Sequence, residues 1–290
     1  YFLRVRKIDP LSVQSISDIP FLPIEAFKNH IVAPADVRLK DYFESSGTTG
    51  QTRSKHYVLD SSIYDWTSIN GFEEKWGALK NWTILALLPN YLERKNASLV
   101  YMVNKWIQES RKDKSGFYLD QLGDLSEQLN SLQRNLKKTL LIGVSFALLD
   151  LAEKYPQNFS AITIMETGGM KGRRKELIRS ELHEILKSGF NLDRIYSEYG
   201  MTELLSQGYM NESGYFQTPE WMKVVIRDVN DPFQRLPHNK TGGVNVIDLA
   251  NIHSCSFIAT DDLGITTPDG FNILGRFDVS DIRGCNLLVN

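Results

Sequence analysis

The sequence predicts an α/β protein: a largely parallel sheet flanked by helices, followed by a smaller C-terminal β subdomain. Three observations carry that reading. First, short apolar runs at 82–88, 139–144 and 161–165 alternate with stretches whose apolar residues recur at helical spacing. Strands buried on both faces read as continuous apolar runs, and their alternation with helices argues for βαβ units. Second, helical periodicity fades after about Gly208, and short β-like pieces alternate with turn signals. Third, the glycine-bearing turns Thr167-Gly168-Gly169 and Tyr199-Gly200 follow strand-like runs, at the strand ends where open parallel sheets bind ligands. The expected division is 1–207, an α/β core with an N-terminal lead-in, and 208–290, a β-rich subdomain.

Taken in order, residues 1–41 carry Pro10, Pro20, Pro23 and Pro34 and read as an extended lead-in with a short helix near 25–29. A strand is expected at 56–59 and a helix at 61–79. The run 82–88, closed by Pro89, is a buried strand. Leu99, Met102, Val103, Trp106 and Ile107 fall on one helical face and read as core. A second amphipathic helix is expected at 125–137, then a strand at 139–144, a helix at 147–154 and a strand at 161–165. A helix over about 173–186 follows, with Ile178, Leu182 and Ile185 as its apolar face. A strand at 194–197 leads into Tyr199-Gly200. Beyond Gly208, β pieces are expected at 224–227, 243–247, 257–259 and 271–274, with turns at Gly242-Gly243 and Asp269-Gly270.

Composition excludes several function classes. A hydrophobic fraction of 42% and a charged fraction of 23% are ordinary for a globular chain. A net charge of -2 gives no electrostatic footprint for nucleic acid. Lys171, Arg173, Arg174 and Lys175 read as a solvated helix start. The longest near-apolar run, 140–149, is short of the roughly 20 residues that a membrane helix needs. No secretory signal is visible, and the chain opens on Tyr1 without methionine, as a fragment would. The two cysteines, Cys255 and Cys285, make no disulfide framework and fit a reducing cytoplasm. The five histidines form no cluster, so no structural metal is expected.

The chemistry concentrates in a few stretches. Ser45-Ser46-Gly47-Thr48-Thr49-Gly50 packs hydroxyls and glycines together, with Arg53 and Lys55 just beyond. Glycines let successive N–H groups turn toward one anion, and the hydroxyls and Arg53 add donors. The stretch suits a polyphosphate cradle or a solvated polar loop. It is neither a Walker A loop nor a dinucleotide fingerprint. Gly168-Gly169 permits close approach of a flat ring, or is a simple helix-entry turn. In Ser197–Glu203, Tyr199 offers a stacking face and Gly200 a tight turn. Thr202 offers a hydroxyl and Glu203 a hard oxygen ligand for Mg²⁺; the alternative is a helix cap formed by Thr202 and Glu203. Asp261-Asp262 is a carboxylate pair suited to vicinal hydroxyls, or a solvated turn.

Four stretches, in this order, resemble the motifs of the acyl-adenylate-forming (ANL) superfamily: SSGTTGQTR at 45–53, YGMTE at 199–203, TDDLG at 260–264 and GRFD at 275–278. ETGGMKGR at 166–173 is similar to that superfamily's adenine-pocket turn. Thr52, Arg53 and Asp261 depart from the usual proline, lysine and glycine. The resemblance implies the large N-terminal domain of an adenylate-forming enzyme, without its small C-terminal domain. It implies ATP and Mg²⁺, with Ser45–Arg53 around the β- and γ-phosphates and Gly168 and Gly169 beside adenine. It further implies Tyr199 stacked on adenine with Gly200 in its turn, Thr202 at the α-phosphate, Glu203 on Mg²⁺, Asp262 on the ribose, Arg276 at ribose or phosphate, and Asp278 as a hinge.

Within that superfamily, IPFLPIEAFK at 19–28 and the terminal DIRGC resemble the LuxE-type acyl-protein synthetases. That resemblance implies activation of a fatty or other carboxylic acid and transfer of the acyl group to Cys285. An acyl-accepting reductase or carrier protein is the implied partner. Read alone, Cys285 suits a small buried hydrophobe as well, and Cys255 reads as structural. Two other functions remain open: an acyl- or aryl-CoA ligase of the phenylacetate type, and a nucleotide- or acyl-binding module without turnover.

Overall fold

The computed structural model describes residues 2–46, 52–89, 96–119, 121–169, 174 and 177–276. The lead-in holds α1 (Phe2–Val5), two short 3-10 turns, β1 (Leu22–Pro23) and α2 (Ala26–Asn29). The strands β2 (Asp41–Glu44) and β3 (Lys55–Val58) form a two-stranded antiparallel ribbon, with Glu44 opposite Lys55. Then come α3 (Ser61–Trp76), β4 (Thr83–Leu87), α4 (Ser98–Ser110), β5 (Gly116–Tyr118), α5 (Leu122–Arg134), β6 (Thr139–Val144), α6 (Ser145–Lys154), β7 (Ile162–Thr167), α7 (Arg179–Phe190) and β8 (Tyr196–Tyr199). The remainder is β9 (Gly208–Met210), β10 (Phe216–Gln217), β11 (Met222–Arg227), β12 (Arg235–Leu236), β13 (Thr241–Asp248), β14 (Phe257–Thr267) and β15 (Gly270–Arg276).

Among the described residues β1 and β4–β15 make one mixed sheet. Its parallel part runs β5-β4-β6-β7-β8. The direction reverses at β9, which lies antiparallel to β8 with Glu198 opposite Tyr209. The sheet then continues β10-β15-β14-β13-β11-β12. The chain is therefore α/β with a parallel core and an antiparallel extension, as the alternation of apolar runs requires. β4 and β6 are buried along their whole length, and α3, α4, α5, α6 and α7 contribute Phe72, Trp106, Leu129, Leu148 and Leu186 to one apolar core. Each such side chain contributes roughly 1.5–3 kcal/mol on leaving water. The Trp106 indole N–H donates to the Ser68 carbonyl at 3.0 Å, so its polar edge is satisfied inside. A second core collects Phe27, Tyr199, Phe216, Val244, Ile258 and Phe271 around the reversal point.

Several elements differ from expectation. The helix expected over 173–186 runs over Arg179–Phe190, and its buried face is Leu182, Leu186 and Phe190. Ile178 and Ile185 are exposed. Tertiary packing selects this frame: Phe190 stacks on Phe159 with centroids 5.4 Å apart, and Gly189 lies against Ala152. Helix α3 stops at Trp76, before Gly77. Gly242 and Gly243 lie inside β13 and form no turn, because the neighbouring strand fills the space a side chain would need. A Cβ at Gly243 would come within 2.6 Å of the Arg227 guanidinium carbon. The Thr260–Gly264 stretch, expected as a loop, is part of β14 and alternates buried and half-buried. No helix follows Tyr199; the chain turns back into β9, so Thr202 and Glu203 cap nothing. β1, β2, β5, β9, β10 and β12 went unpredicted, each being too short to show a period.

Candidate functional site

The site grows from the point where β8 ends. Tyr199, the last residue of β8, is buried, its ring set between Phe271 at 5.3 Å and Phe216 at 5.9 Å between centroids. Its hydroxyl donates to Asp262 Oδ2 at 2.8 Å. Burial first, and the Asp262 carboxylate second, push the Tyr199 phenol well above its ordinary pKa, so it stays a donor. Asp262 is 6% exposed, and its other oxygen accepts from Arg276 Nε at 3.2 Å. Asp262 and Arg276 face each other across the β14–β15 hairpin. Three residues of three separate motifs are thus joined in one hydrogen-bonded set.

The strand carrying Asp262 is held from behind. Arg227 donates to the carbonyls of Val244 and Thr260, at 2.8 and 2.6 Å, and to Asn245 Oδ1 at 2.7 Å. The Thr260 hydroxyl donates to the Val244 carbonyl and accepts from the Asp262 N–H at 3.1 Å. Side chain and backbone of Asp262 are therefore both fixed.

Four residues beyond Tyr199, Glu203 is 5% exposed. Burial raises its pKa, and Ser54, Arg276 and Lys28 act against that rise. Ser54 in turn closes the serine-rich segment: its N–H donates to Ser45 Oγ at 2.9 Å, and its carbonyl accepts from the Ser45 N–H at 3.1 Å. Ser45 and Ser54 so form the neck of the loop, with Ser46 exposed just past it. Arg53 is engaged by Glu44 at 2.8 Å. Gly47, Thr48, Thr49, Gly50, Asp278 and Cys285 lie outside the described residues.

The turn after β7 sits beside this set. Gly168 has φ of 71°, a conformation that favours glycine, and its carbonyl accepts from Ser145 Oγ at 3.2 Å; Gly169 follows. Thr167 Oγ1 donates to Glu198 Oε2 at 2.5 Å. The other Glu198 oxygen lies over Gly200, where any Cβ would collide with it. Burial raises Glu198 to about 7. Beneath, buried Glu166 accepts from Ser197 at 2.6 Å and Ser145 at 3.2 Å and lies 3.4 Å from Arg179 Nε. Burial opposes its charge, but His183, Arg179 and Ser197 together hold its pKa below the usual carboxylate value.

Sequence reasoning missed His56, Glu198, Glu166 and Arg227. His56 is 1% exposed, with Nδ1 2.9 Å from the Thr202 carbonyl oxygen and Nε2 2.9 Å from Ser254 Oγ. Burial lowers its pKa to about 4. A single histidine in a short strand carries no pattern; the alternating burial of β3 is the one signal that places it inward. Among the described residues no helix is long and apolar enough to cross a membrane, and no group of three or more His, Cys, Asp or Glu side chains could hold a metal.

No family model and no curated protein matches the chain. Solved structures do. ATP-bound MatB from Rhodopseudomonas palustris is similar at 14% identity and TM-score 0.60, over 82% of this chain and 48% of that one. The O-succinylbenzoate coenzyme A synthetase MenE from Bacillus subtilis, with ATP and magnesium ion, is similar at 19% identity and TM-score 0.56, over 81% and 49%. 2-Hydroxyisobutyryl-CoA ligase, with 2-HIB-AMP and CoA, is similar at 11% identity and TM-score 0.68, over 95% and 64%. The likeness is one of fold: the chain shares an α/β architecture, a large mixed sheet with a parallel core, with part of each of these ligase structures. It spans about half the length of the first of these structures.

Proposed function

We propose that the protein couples a carboxylic acid to AMP and then passes the acyl group to a thiol, as an acyl-protein synthetase does. The observation that carries this reading is the joined set Tyr199, Asp262 and Arg276, standing beside buried Glu203 and the neck of a Ser/Thr/Gly loop. In this reading Asp262 accepts from the ribose hydroxyls, and Tyr199 and the turn at Gly168, Gly169 and Gly200 flank adenine. Ser45, Ser46, Gly47, Thr48, Thr49 and Gly50 hold the β- and γ-phosphates. Arg53 reaches those phosphates by leaving Glu44, and the Thr202 hydroxyl meets the α-phosphate.

Glu203 suits Mg²⁺. It is a buried carboxylate whose charge is unfavourable without a nearby cation, and Mg²⁺ is commonly bound through one or two carboxylates plus substrate phosphates. When bound, the ion would offset phosphate charge. The acid's carboxylate oxygen attacks the α-phosphorus of ATP, and the bond to the β-phosphate oxygen breaks to release pyrophosphate. Arg276 contributes fixed positive charge beside the phosphates. A thiolate then attacks the acyl carbon, a thioester forms and AMP leaves. Cys285 is the proposed acceptor in the chain.

Carboxylate-dependent exchange of labelled pyrophosphate into ATP tests the first half. No exchange with any of a broad panel of acids, alongside measurable nucleotide binding, would support a binding module instead. The acceptor is tested separately. The likeness to CoA ligases favours free CoA as the second reading. A hydroxylamine-labile acyl adduct lost in Cys285→Ser supports the protein acceptor; CoA thioester formed equally well by that variant supports CoA.

A further inference from the structure

We infer that His56 is a positioning residue that, in one fixed tautomer, ties the turn carrying Thr202 and Glu203 to β3 and to the segment carrying Ser254. The inference rests on the nucleotide reading of the site and adds to it a residue outside every motif. A carbonyl oxygen only accepts, so the 2.9 Å contact with Thr202 requires the proton on Nδ1. Nε2 is then the acceptor, and the Ser254 hydroxyl donates to it at 2.9 Å. Burial lowers the ring's pKa to about 4, which keeps it neutral near neutral pH and leaves this the sole arrangement that satisfies both partners.

Four remote segments meet on this ring. His56 belongs to β3, two residues beyond Ser54, whose backbone pairs with Ser45. Thr202 belongs to the turn after β8. Ser254 lies between β13 and β14, a segment tied to the same turn because Asn251 Nδ2 donates to the Glu203 carbonyl at 2.8 Å. Phe27 of the lead-in packs edge-on against the imidazole at 5.5 Å. Glu203 is thus held through its own carbonyl and, by way of His56, through the carbonyl before it.

The test measures MgATP binding by calorimetry across Mg²⁺ concentrations, and ATP binding with the metal chelated, for the full chain and three variants. His56→Asn keeps a donor where Nδ1 stands, His56→Leu keeps bulk without polarity, and Ser254→Ala removes the remote partner. Losing one buried hydrogen bond at the Thr202 carbonyl should raise the Mg²⁺ concentration for half-saturation about tenfold in His56→Leu. Metal-free binding should stay near the parent value. His56→Asn should recover most of the shift, and Ser254→Ala should show a smaller shift of the same kind. A purely structural role would instead lower both kinds of binding together and give no rescue by Asn. If the parent binds MgATP and His56→Leu matches it, the inference fails alone. If the parent binds no nucleotide, the functional reading fails with it. Where His56→Leu does not fold, the imidazole ¹⁵N spectrum of the unaltered chain decides: protonated Nδ1 and bare Nε2 uphold the inference, and the opposite tautomer overturns it.

Discussion

Two titratable groups on either side of the Thr202 turn, buried His56 and half-buried Glu198, respond to acid in opposite directions, and their opposition is measurable. His56 has a folded pKa of about 4 against an ordinary value of 6.5. Between those values the unfolded chain holds the proton and the folded chain does not, so this group's contribution to stability falls as pH drops. Glu198 has a folded pKa of about 7 against 4.5. Between those values the folded chain holds the proton and the unfolded chain does not, so its contribution rises as pH drops. Each pKa unit is about 1.4 kcal/mol, so between about pH 7 and about pH 4.5 each linkage amounts to roughly 2–3 kcal/mol. Solvent reaching the partly exposed Glu198 makes its share the smaller. In the parent protein the two partly cancel. Urea unfolding of the parent, His56→Asn and Glu198→Gln across that range separates them. Over the same acid shift, parent minus His56→Asn should fall by about 2–3 kcal/mol, and parent minus Glu198→Gln should rise by a similar or smaller amount. Comparing differences cancels the other carboxylates. Three parallel curves would refute the burial of both groups, and two differences of the same sign would refute the assignment of one.

Other expectations follow from the same contacts. Asp262→Ala removes the acceptor of both Tyr199 and Arg276, and should weaken nucleotide binding by about 10- to 100-fold in a calorimetric titration. Gly200→Ala brings a Cβ against Glu198 Oε1, the end of a flexible side chain, and should destabilise by no more than about 1 kcal/mol; pairing it with Glu198→Ala should return part of that loss in a double-mutant cycle. Chelating Mg²⁺ should abolish pyrophosphate exchange, and Glu203→Gln should raise the Mg²⁺ needed to restore it. Leu186→Ala, in the buried frame of α7, should cost about 2–5 kcal/mol in thermal or urea unfolding, whereas Ile185→Ala should cost well under that.

What the sequence revealed and what it hid divide along physical lines. Long buried strands such as β4 and β6 announce themselves because every residue is apolar. The helix α7 was misframed because Leu177, Ile178, Leu182, Ile185, Leu186 and Phe190 permit two apolar stripes. Only contacts with Phe159 and Ala152, remote in sequence, choose between them. Tyr199, Asp262 and Arg276 were legible as motifs, yet their mutual bonding was not, since it depends on strand pairing over 63 and 14 residues. The Gly242-Gly243 pair carried the residue signature of a turn, while its cause is the bulk of Arg227 on the next strand. His56 carried no signature at all.

The pairing of Asp262 with Arg276 shows how local chemistry sets the site from a distance. The hairpin starts at its Asp269-Gly270 turn, with Thr267 opposite Gly270, Thr266 opposite Phe271, Ile265 opposite Asn272 and Gly264 opposite Ile273. Continued without interruption, that register would put Asp262 opposite Gly275, which has no charge to offer. A register shift between Leu263 and Gly264 puts Leu263 opposite Gly275 and Asp262 opposite Arg276 instead. The extra residue on β15 is Leu274, which is 53% exposed and serves no core. A bulge of this kind re-aims side chains beyond it. The buried carboxylate that completes the Tyr199 set therefore owes its cation to one inserted residue, two positions before Arg276, whose own side chain faces water.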